Sequence, residues 1–133
     1  MADHFITLPL YGSDGGSGGD LNLNGLRIAA LSAPITINDN QVIPADIIVY
    51  SKAAYAFSVI EYSIEREGEV QVGRLFVANN ALDATITNDF ASTVMSLGVI
   101  FSVAVDAALV RVQYVSTSTG FSGVFKYSVR QWI

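Results

Sequence analysis

The sequence predicts an all-β protein, an antiparallel β-sandwich of jelly-roll-like form that makes a knob with an extended N-terminal arm. Short runs rich in valine, isoleucine, tyrosine and phenylalanine alternate with turn residues such as Asn38, Asp39, Pro44, Gly68 and Asn80. No long segment keeps apolar residues at the 3.6-residue spacing of a helix. In the last third of the chain apolar and polar residues alternate, which is typical of half-buried strands in a sandwich.

Eight strands are predicted, over residues 34–37, 47–51, 54–66, 70–78, 84–87, 98–105, 109–116 and 123–132. Successive side chains of a strand point to opposite sides, so alternate apolar residues of the last three strands share one face. These residues are expected to form the core: Val99, Phe101, Val103, Val105, Val110, Val112, Tyr114, Phe125, Tyr127 and Val129. Tight turns are expected at residues 67–69 and 106–108.

The N-terminal residues predict a separate arm. Residues 1–19 divide into a short apolar segment and a hinge over residues 12–19, in which five of eight residues are glycine. The apolar segment offers five anchoring side chains, Phe5, Ile6, Leu8, Leu10 and Tyr11. Residues 20–133 are predicted to form the knob.

Charge is scarce in this chain. Charged residues make up 14% of the sequence, against about 25% in an ordinary soluble domain. Because soluble monomers rarely leave wide apolar patches in water, part of the outer surface is expected to be buried against copies of the chain or a larger assembly. The net charge is −5 and the seven basic residues are scattered singly, so nucleic acid is not an expected partner.

Membrane insertion and export are not expected. The first ten residues contain Asp3 and His4 and no basic region, unlike a secretory signal peptide. Residues 94–112 are apolar enough to suggest a membrane span. Asp106 and the alternating β-branched residues favour a hairpin over a membrane helix.

No metal, cofactor or catalytic centre is predicted. His4 is the single histidine and there is no cysteine, so a histidine site or a serine triad has no second member. Residues 20–25 copy the opening of a calcium-binding EF-hand loop, but its twelfth position is Leu31, which favours a plain turn. Glu61, Glu65, Glu67 and Glu69 offer the paired carboxylates of a glycosidase, whereas a solvated hairpin tip with surface ion pairs to Arg66 and Arg74 explains them more simply.

Four aromatic residues are candidates for ligand contact. Tyr50, Tyr55, Phe121 and Trp132 have the amphipathic or flat side chains that stack on sugars. The alternative for each of them is burial in the core, where most aromatic residues of strands lie.

Residues 54–133 resemble a known family. The strings FSVIEYSIEREGEVQVGRLFVANN, GVIFSVAVDAALVRVQYVSTSTG and FKYSVRQWI are similar to the terminal knob of tailed-bacteriophage tail-fibre and related virion structural proteins. The resemblance implies a small, non-enzymatic β-sandwich head, often a homotrimer, that binds a host surface or another virion component. The chain departs from the family in lacking glycine at residues 106–108 and in having no long shaft before the knob.

The leading hypothesis is therefore a non-enzymatic virion structural protein without a cofactor. It is expected to be a homotrimer, docked by its N-terminal arm on the major capsid protein or another virion protein, decorating the particle surface after synthesis in the host cytoplasm. One alternative is a receptor-binding tail-fibre tip that recognises a host surface glycan or protein. A second alternative, from another class, is a polysaccharide-degrading hydrolase that uses the glutamates at positions 61–69.

Overall fold

The structure is a computed structural model that describes residues 21–23, 26–28 and 33–133. The arm, the hinge and the five predicted anchors Phe5, Ile6, Leu8, Leu10 and Tyr11 lie outside the described residues. The described part is all-β and contains no helix. Its strands are β1 (Leu21–Leu23), β2 (Leu26–Ile28), β3 (Ile35–Ile37), β4 (Ala45–Ser51), β5 (Phe57–Arg66), β6 (Glu69–Asn79), β7 (Ala84–Ser92), β8 (Val99–Asp106), β9 (Leu109–Ser116) and β10 (Gly123–Trp132).

The strands form two antiparallel sheets that pack together, which confirms the predicted sandwich. The large sheet has seven strands in the order β1-β2-β10-β5-β6-β7, and β3 also pairs with β10. The small sheet has the order β4-β9-β8. β3 pairs with the beginning of β10, where Ile37 is opposite Gly123, and β2 pairs with its end, where Leu26 is opposite Trp132. β10 therefore lies inside the large sheet, with β5 on its other side.

The predicted core is confirmed. Val99, Phe101, Val110, Val112, Tyr114, Phe125 and Val129 are buried, and Val103, Val105 and Tyr127 pack against them partly buried. An aromatic contact joins the two sheets, because the ring of Tyr62 on β5 meets Phe101 of β8 edge-on at 5.2 Å and stacks on Phe125 of β10 at 5.4 Å. Such pairs add roughly 0.5–1.5 kcal/mol beyond the area they bury.

A buried polar network crosses the large sheet at Tyr62. Its hydroxyl accepts a hydrogen bond from Gln71 Nε2 at 2.8 Å and donates one to Asn88 Oδ1 at 2.7 Å. Burial raises the pKa of Tyr62, and the two hydrogen bonds oppose that rise. Gly73 lies beside this hydroxyl, and a side chain there would meet the Asp89 carbonyl oxygen at 2.6 Å. β6 and β7 approach each other closely here because Gly73 has no Cβ.

Two-residue turns close both predicted tight connections. Glu67 and Gly68 have φ of 54° and 77°, the left-handed conformations that match the twist of a hairpin. Ala107 also has a positive φ, 29°, in the turn between β8 and β9.

All eight predicted strands are confirmed. Their bounds agree to within three residues except at the end of β7, which continues from the predicted residue 87 to residue 92. Residues 21–23 of the predicted plain turn instead form β1, which pairs with β2 so that Leu23 is opposite Leu26, while residues 20, 24 and 25 lie outside the described residues. Only two residues, with the sequence Asn-Gly, separate these strands. In the part of the chain that the structure describes, no helix has the length and apolarity needed to cross a membrane.

Candidate interaction surface

The outer face of the large sheet carries two neighbouring rows of apolar side chains. Residues directly opposite each other in antiparallel strands point to the same side, so the strand register identifies each row. Trp132, Phe57 and Ala78 are successive partners in one row, and Arg130, Val59 and Phe76 in the next. Leu26 and Ile28 of β2 extend the two rows at one side. We name as the apolar block Leu26, Ile28, Phe57, Val59, Phe76, Ala78 and Trp132.

Aromatic rings at the centre of the apolar block remain accessible to solvent. The rings of Phe57 and Trp132 stack with centroids 4.9 Å apart and planes inclined by 27°. Phe57 is 42% exposed and Phe76 is 41% exposed. Soluble monomers rarely expose several large apolar side chains on one face, so this face has the composition of a binding surface.

A row of charged residues borders the apolar block. Glu61 is opposite Arg74, and Arg74 is opposite Asp89, so the signs alternate along the row. The Glu61 Oε2 to Arg74 Nε distance is 3.5 Å and both side chains are at least half exposed, as predicted for a surface ion pair.

Among the described residues, the charges on the outer face of the large sheet are balanced. With Lys126, Arg130 and Glu65, these residues place three basic and three acidic side chains on the face.

Arg130 stands within the apolar rows. Ile28 of β2 and Val59 of β5 are its direct neighbours. Its Nε atom is buried and has no hydrogen-bond partner among the described residues. A buried donor without a partner costs free energy, so an additional acceptor would be favourable at this point.

The two glutamates of β5 are too far apart to act as the carboxyl pair of a glycosidase. Glu61 and Glu65 lie on the same face of β5 but four residues apart, which is about 13 Å at 3.3 Å per residue. Glu67 lies in the turn, and Glu69 accepts a hydrogen bond from the Thr93 hydroxyl. Glycosidases place their two carboxyl groups about 5–10 Å apart across a substrate cleft. Among the residues described, no three histidine, cysteine, aspartate or glutamate side chains are grouped to hold a metal ion.

Arg66 organises one end of the sandwich. Its guanidinium is 2% exposed and donates to the carbonyl oxygens of Leu97, Thr117 and Phe121 at 2.7–2.9 Å. It also donates to Asp39 Oδ1 at 2.7 Å. The expectation that Arg66 forms a surface ion pair at the hairpin tip was therefore wrong. The side chain points inward because its position in β5 has the same parity as the buried residues Tyr62 and Ile64.

Asp39 is the anionic partner at this end. Hydrogen bonds lower the pKa of Asp39, and the largest cause is the Thr119 N–H, which donates to Oδ1 at 2.8 Å. The Gly120 N–H at 3.1 Å and the Arg66 guanidinium lower it further, while partial burial opposes them. Asp39 and Arg66 together hold in place the loops that contain Leu97, Thr117 and Thr119.

The loops at this end carry exposed apolar side chains. We name as the loop end residues 38–43, 93–98 and 117–122, which the Arg66–Asp39 pair connects. Its exposed apolar side chains are Val42, Ile43, Val94, Met95 and Phe121, with Met95 97% exposed. The loop end is a second candidate for contact with a partner.

The four aromatic candidates do not assemble into one platform. Tyr50 is buried in the core and donates from its hydroxyl to Asn79 Oδ1 at 3.0 Å. Tyr55 is half-buried and meets the Tyr50 ring edge-on at 6.3 Å. Trp132 is half-buried in the apolar block, and Phe121 is 48% exposed at the loop end. Phe121 and Trp132 lie near opposite ends of β5, since Phe121 contacts Arg66 and Trp132 pairs with Phe57.

Sequence reasoning missed Phe57, Phe76 and Arg130 as members of a surface. A usable signal was present in β5, which has apolar residues on both faces of its first half, Phe57 and Val59 outward and Ile60 inward. Strands covered on both faces have such near-continuous apolar runs, whereas strands with one face in water alternate.

Comparison of the chain with protein-family models, with curated proteins and with solved structures finds no match.

Proposed function

We propose that this chain is a non-enzymatic structural protein of a tailed-bacteriophage particle. In this proposal it is a homotrimeric β-sandwich knob at the virion surface that decorates the capsid, made in the host cytoplasm. The observation that carries the proposal is the exposed apolar block on the outer face of the large sheet. Such a surface suits a protein that functions in an assembly.

Two further observations support the assembly role. The sequence strings that resemble phage knobs coincide with strands β5, β6, β8, β9 and β10, which form most of the sandwich. Several of the few charged residues in the described part are paired within the chain, such as Arg66 with Asp39 and Arg111 with Asp46. The carboxylates at positions 61–69 have the simpler role of surface residues at a hairpin.

The N-terminal arm is the proposed attachment to the particle. An arm can dock by adding hydrogen bonds to a strand edge and by placing apolar anchors in pockets. The experiment compares the full chain with a variant lacking residues 1–19 and a full-length variant in which Phe5, Ile6, Leu8, Leu10 and Tyr11 are replaced by serine. Each protein is sedimented with capsids of the phage that encodes it.

Loss of co-sedimentation in both variants is the expected result, because the serine variant keeps the length and backbone of the arm. Unchanged binding of the truncated protein contradicts arm docking. Loss in the truncated protein alone shows that the backbone, and not the apolar side chains, makes the attachment.

A receptor-binding tip is the second candidate, and the loop end favours it. Loops fixed by a rigid scaffold and carrying exposed side chains commonly bind partners. The knob over residues 20–133 is incubated with host cells alongside a variant with Met95→Ser and Phe121→Ser. Cell binding that the double substitution abolishes supports the tip, whereas binding to capsids and not to cells supports decoration.

A further inference from the structure

We propose that copies of this chain bind one another through the outer face of the large sheet, with the apolar block at the centre of the interface. This inference rests on the proposed homotrimer and identifies the surface that would form it. Three independent properties of the face lead to this assignment: its area, its composition and its charge pattern.

The face has the area of a stable interface. Four strands of about ten residues, spaced about 4.8 Å apart and rising about 3.3 Å per residue, together with the short β2 and β3, cover roughly 700 Å². Stable protein interfaces bury about 600–1,000 Å² on each partner. The area of this face lies within that range, so it is large enough for a stable contact between copies of the chain.

The composition matches the centre of an interface. Aromatic residues and arginine are enriched there, and a few of them supply most of the binding free energy. The stacked Phe57–Trp132 pair, Phe76 and Arg130 provide this combination within two adjacent rows. A neighbouring copy would also supply acceptors for the partnerless Nε atom of Arg130.

The charge pattern favours a second copy of the same chain as the partner. The chain has a net charge of −5, so two copies repel each other in general. This face is an exception, since Arg74, Lys126 and Arg130 balance Glu61, Glu65 and Asp89. Because the signs alternate along the row of Arg74, a carboxylate of one copy can lie against an arginine of the next.

The outer face of the small sheet provides the contrast. There Arg111 donates to Asp106 at 2.6 Å and to Asp46 at 2.5 Å, and Gln113 donates to Asp46 at 2.8 Å. These charges already have partners within the chain. Ala104, which is exposed directly opposite Arg111, is therefore a matched control position.

The first experiment compares Phe76→Glu with Ala104→Glu by native mass spectrometry and sedimentation of the full chain. The unmodified chain and Ala104→Glu are expected at three times 14.2 kDa, and Phe76→Glu at 14.2 kDa. A glutamate in the apolar block would be desolvated in the interface without a partner. Far-UV circular dichroism shows whether each variant keeps its strands.

The outcomes separate this inference from the proposed function. A single 14.2 kDa species for the unmodified chain at high concentration overturns the trimer and this inference together. A trimer that survives Phe76→Glu in folded form overturns the assignment of the face and leaves the trimer in place.

A second measurement decides the question if Phe76→Glu does not fold. The chain has no cysteine, so Ala78→Cys in the apolar block and Ala104→Cys on the small sheet each introduce one thiol at an exposed position. Labelling of the oligomer with a maleimide is expected to be at least about tenfold slower at position 78 than at position 104, because the interface must open first. Equal labelling rates in an oligomer overturn the proposal.

Discussion

Arg66 and Asp39, 27 positions apart in the sequence, meet at 2.7 Å and connect the hairpin of β5 and β6 to the loop that follows β3. Arg66 is almost fully buried, whereas Asp39 keeps part of its side chain in water. The guanidinium also binds three carbonyl oxygens, so four groups from three loops depend on one side chain.

Replacing Arg66 by methionine should strongly destabilise the fold. The substitution keeps an apolar stem but leaves three carbonyl oxygens without their donor, and we expect a loss of roughly 3 kcal/mol or more. Urea unfolding measures the change. Arg74→Met is the control, because Arg74 is exposed and its ion pair with Glu61 contributes less than about 1 kcal/mol. Equal losses in the two variants would contradict the central role of Arg66.

Asp39 should make stability depend on pH in the acid range. Its folded-state pKa is lowered from the ordinary value of 3.8, chiefly by the Thr119 N–H, so the ionised form stabilises the fold. This contribution is complete above the unfolded-state pKa and is lost as the pH falls through the folded-state pKa. The difference in unfolding free energy between the unmodified chain and Asp39→Asn is therefore expected to shrink between about pH 5 and pH 2. Asp83→Asn, at an exposed loop position, controls for the change in net charge. A difference that does not vary with pH would refute the assignment.

Gly73→Ala should destabilise the large sheet. An added Cβ would meet the Asp89 carbonyl oxygen at 2.6 Å and the Phe90 Cβ at 2.7 Å, neither of which is the end of a flexible side chain. Overpacking of this kind costs about 1–3 kcal/mol. Thermal unfolding tests the prediction, and a melting temperature equal to that of the unmodified chain would show that β6 and β7 can separate without cost.

Tyr62→Phe should cost stability that a second substitution partly restores. Without the hydroxyl, the buried amide of Gln71 loses its acceptor, and we expect a loss of about 1–3 kcal/mol. Adding Gln71→Leu removes the amide donor that has lost its acceptor, so the double variant should be more stable than Tyr62→Phe alone. A double-mutant cycle measures the coupling, and strict additivity would count against the hydrogen bond.

The alternation of apolar and polar residues along the chain was enough to predict the strands and most of the core. Val110, Val112 and Tyr114 are buried because β9 follows the two-residue period without interruption. Tyr50 was harder to place, since the register of β4 shifts between Asp46 and Ile48 and both Ile47 and Ile48 are buried. Such a bulge changes which face a later side chain occupies, and nothing in the local pattern fixes its position.

The contacts between distant segments could not be predicted. The burial of Arg66 depends on acceptors 27 to 55 positions away in the sequence, which come together only in the folded sandwich. The apolar block likewise joins β2, β5, β6 and β10, and its rows follow from the pairing register. The short strands β1 and β2 were missed although Asn-Gly between apolar residues is a strong hairpin signal.

The place of β10 within the large sheet has a consequence for biosynthesis. β3 has its backbone partners on β10, and the β1–β2 pair joins the large sheet through β10 and not through β5, so neither can join the sheet while β10 is still inside the ribosome. The hairpin of β5 and β6 can form early, since its turn is local. In the nascent chain the backbone groups on the free edge of β5 therefore stay unpaired until β10 emerges. A chaperone that covers this edge is expected to raise the yield of folded protein.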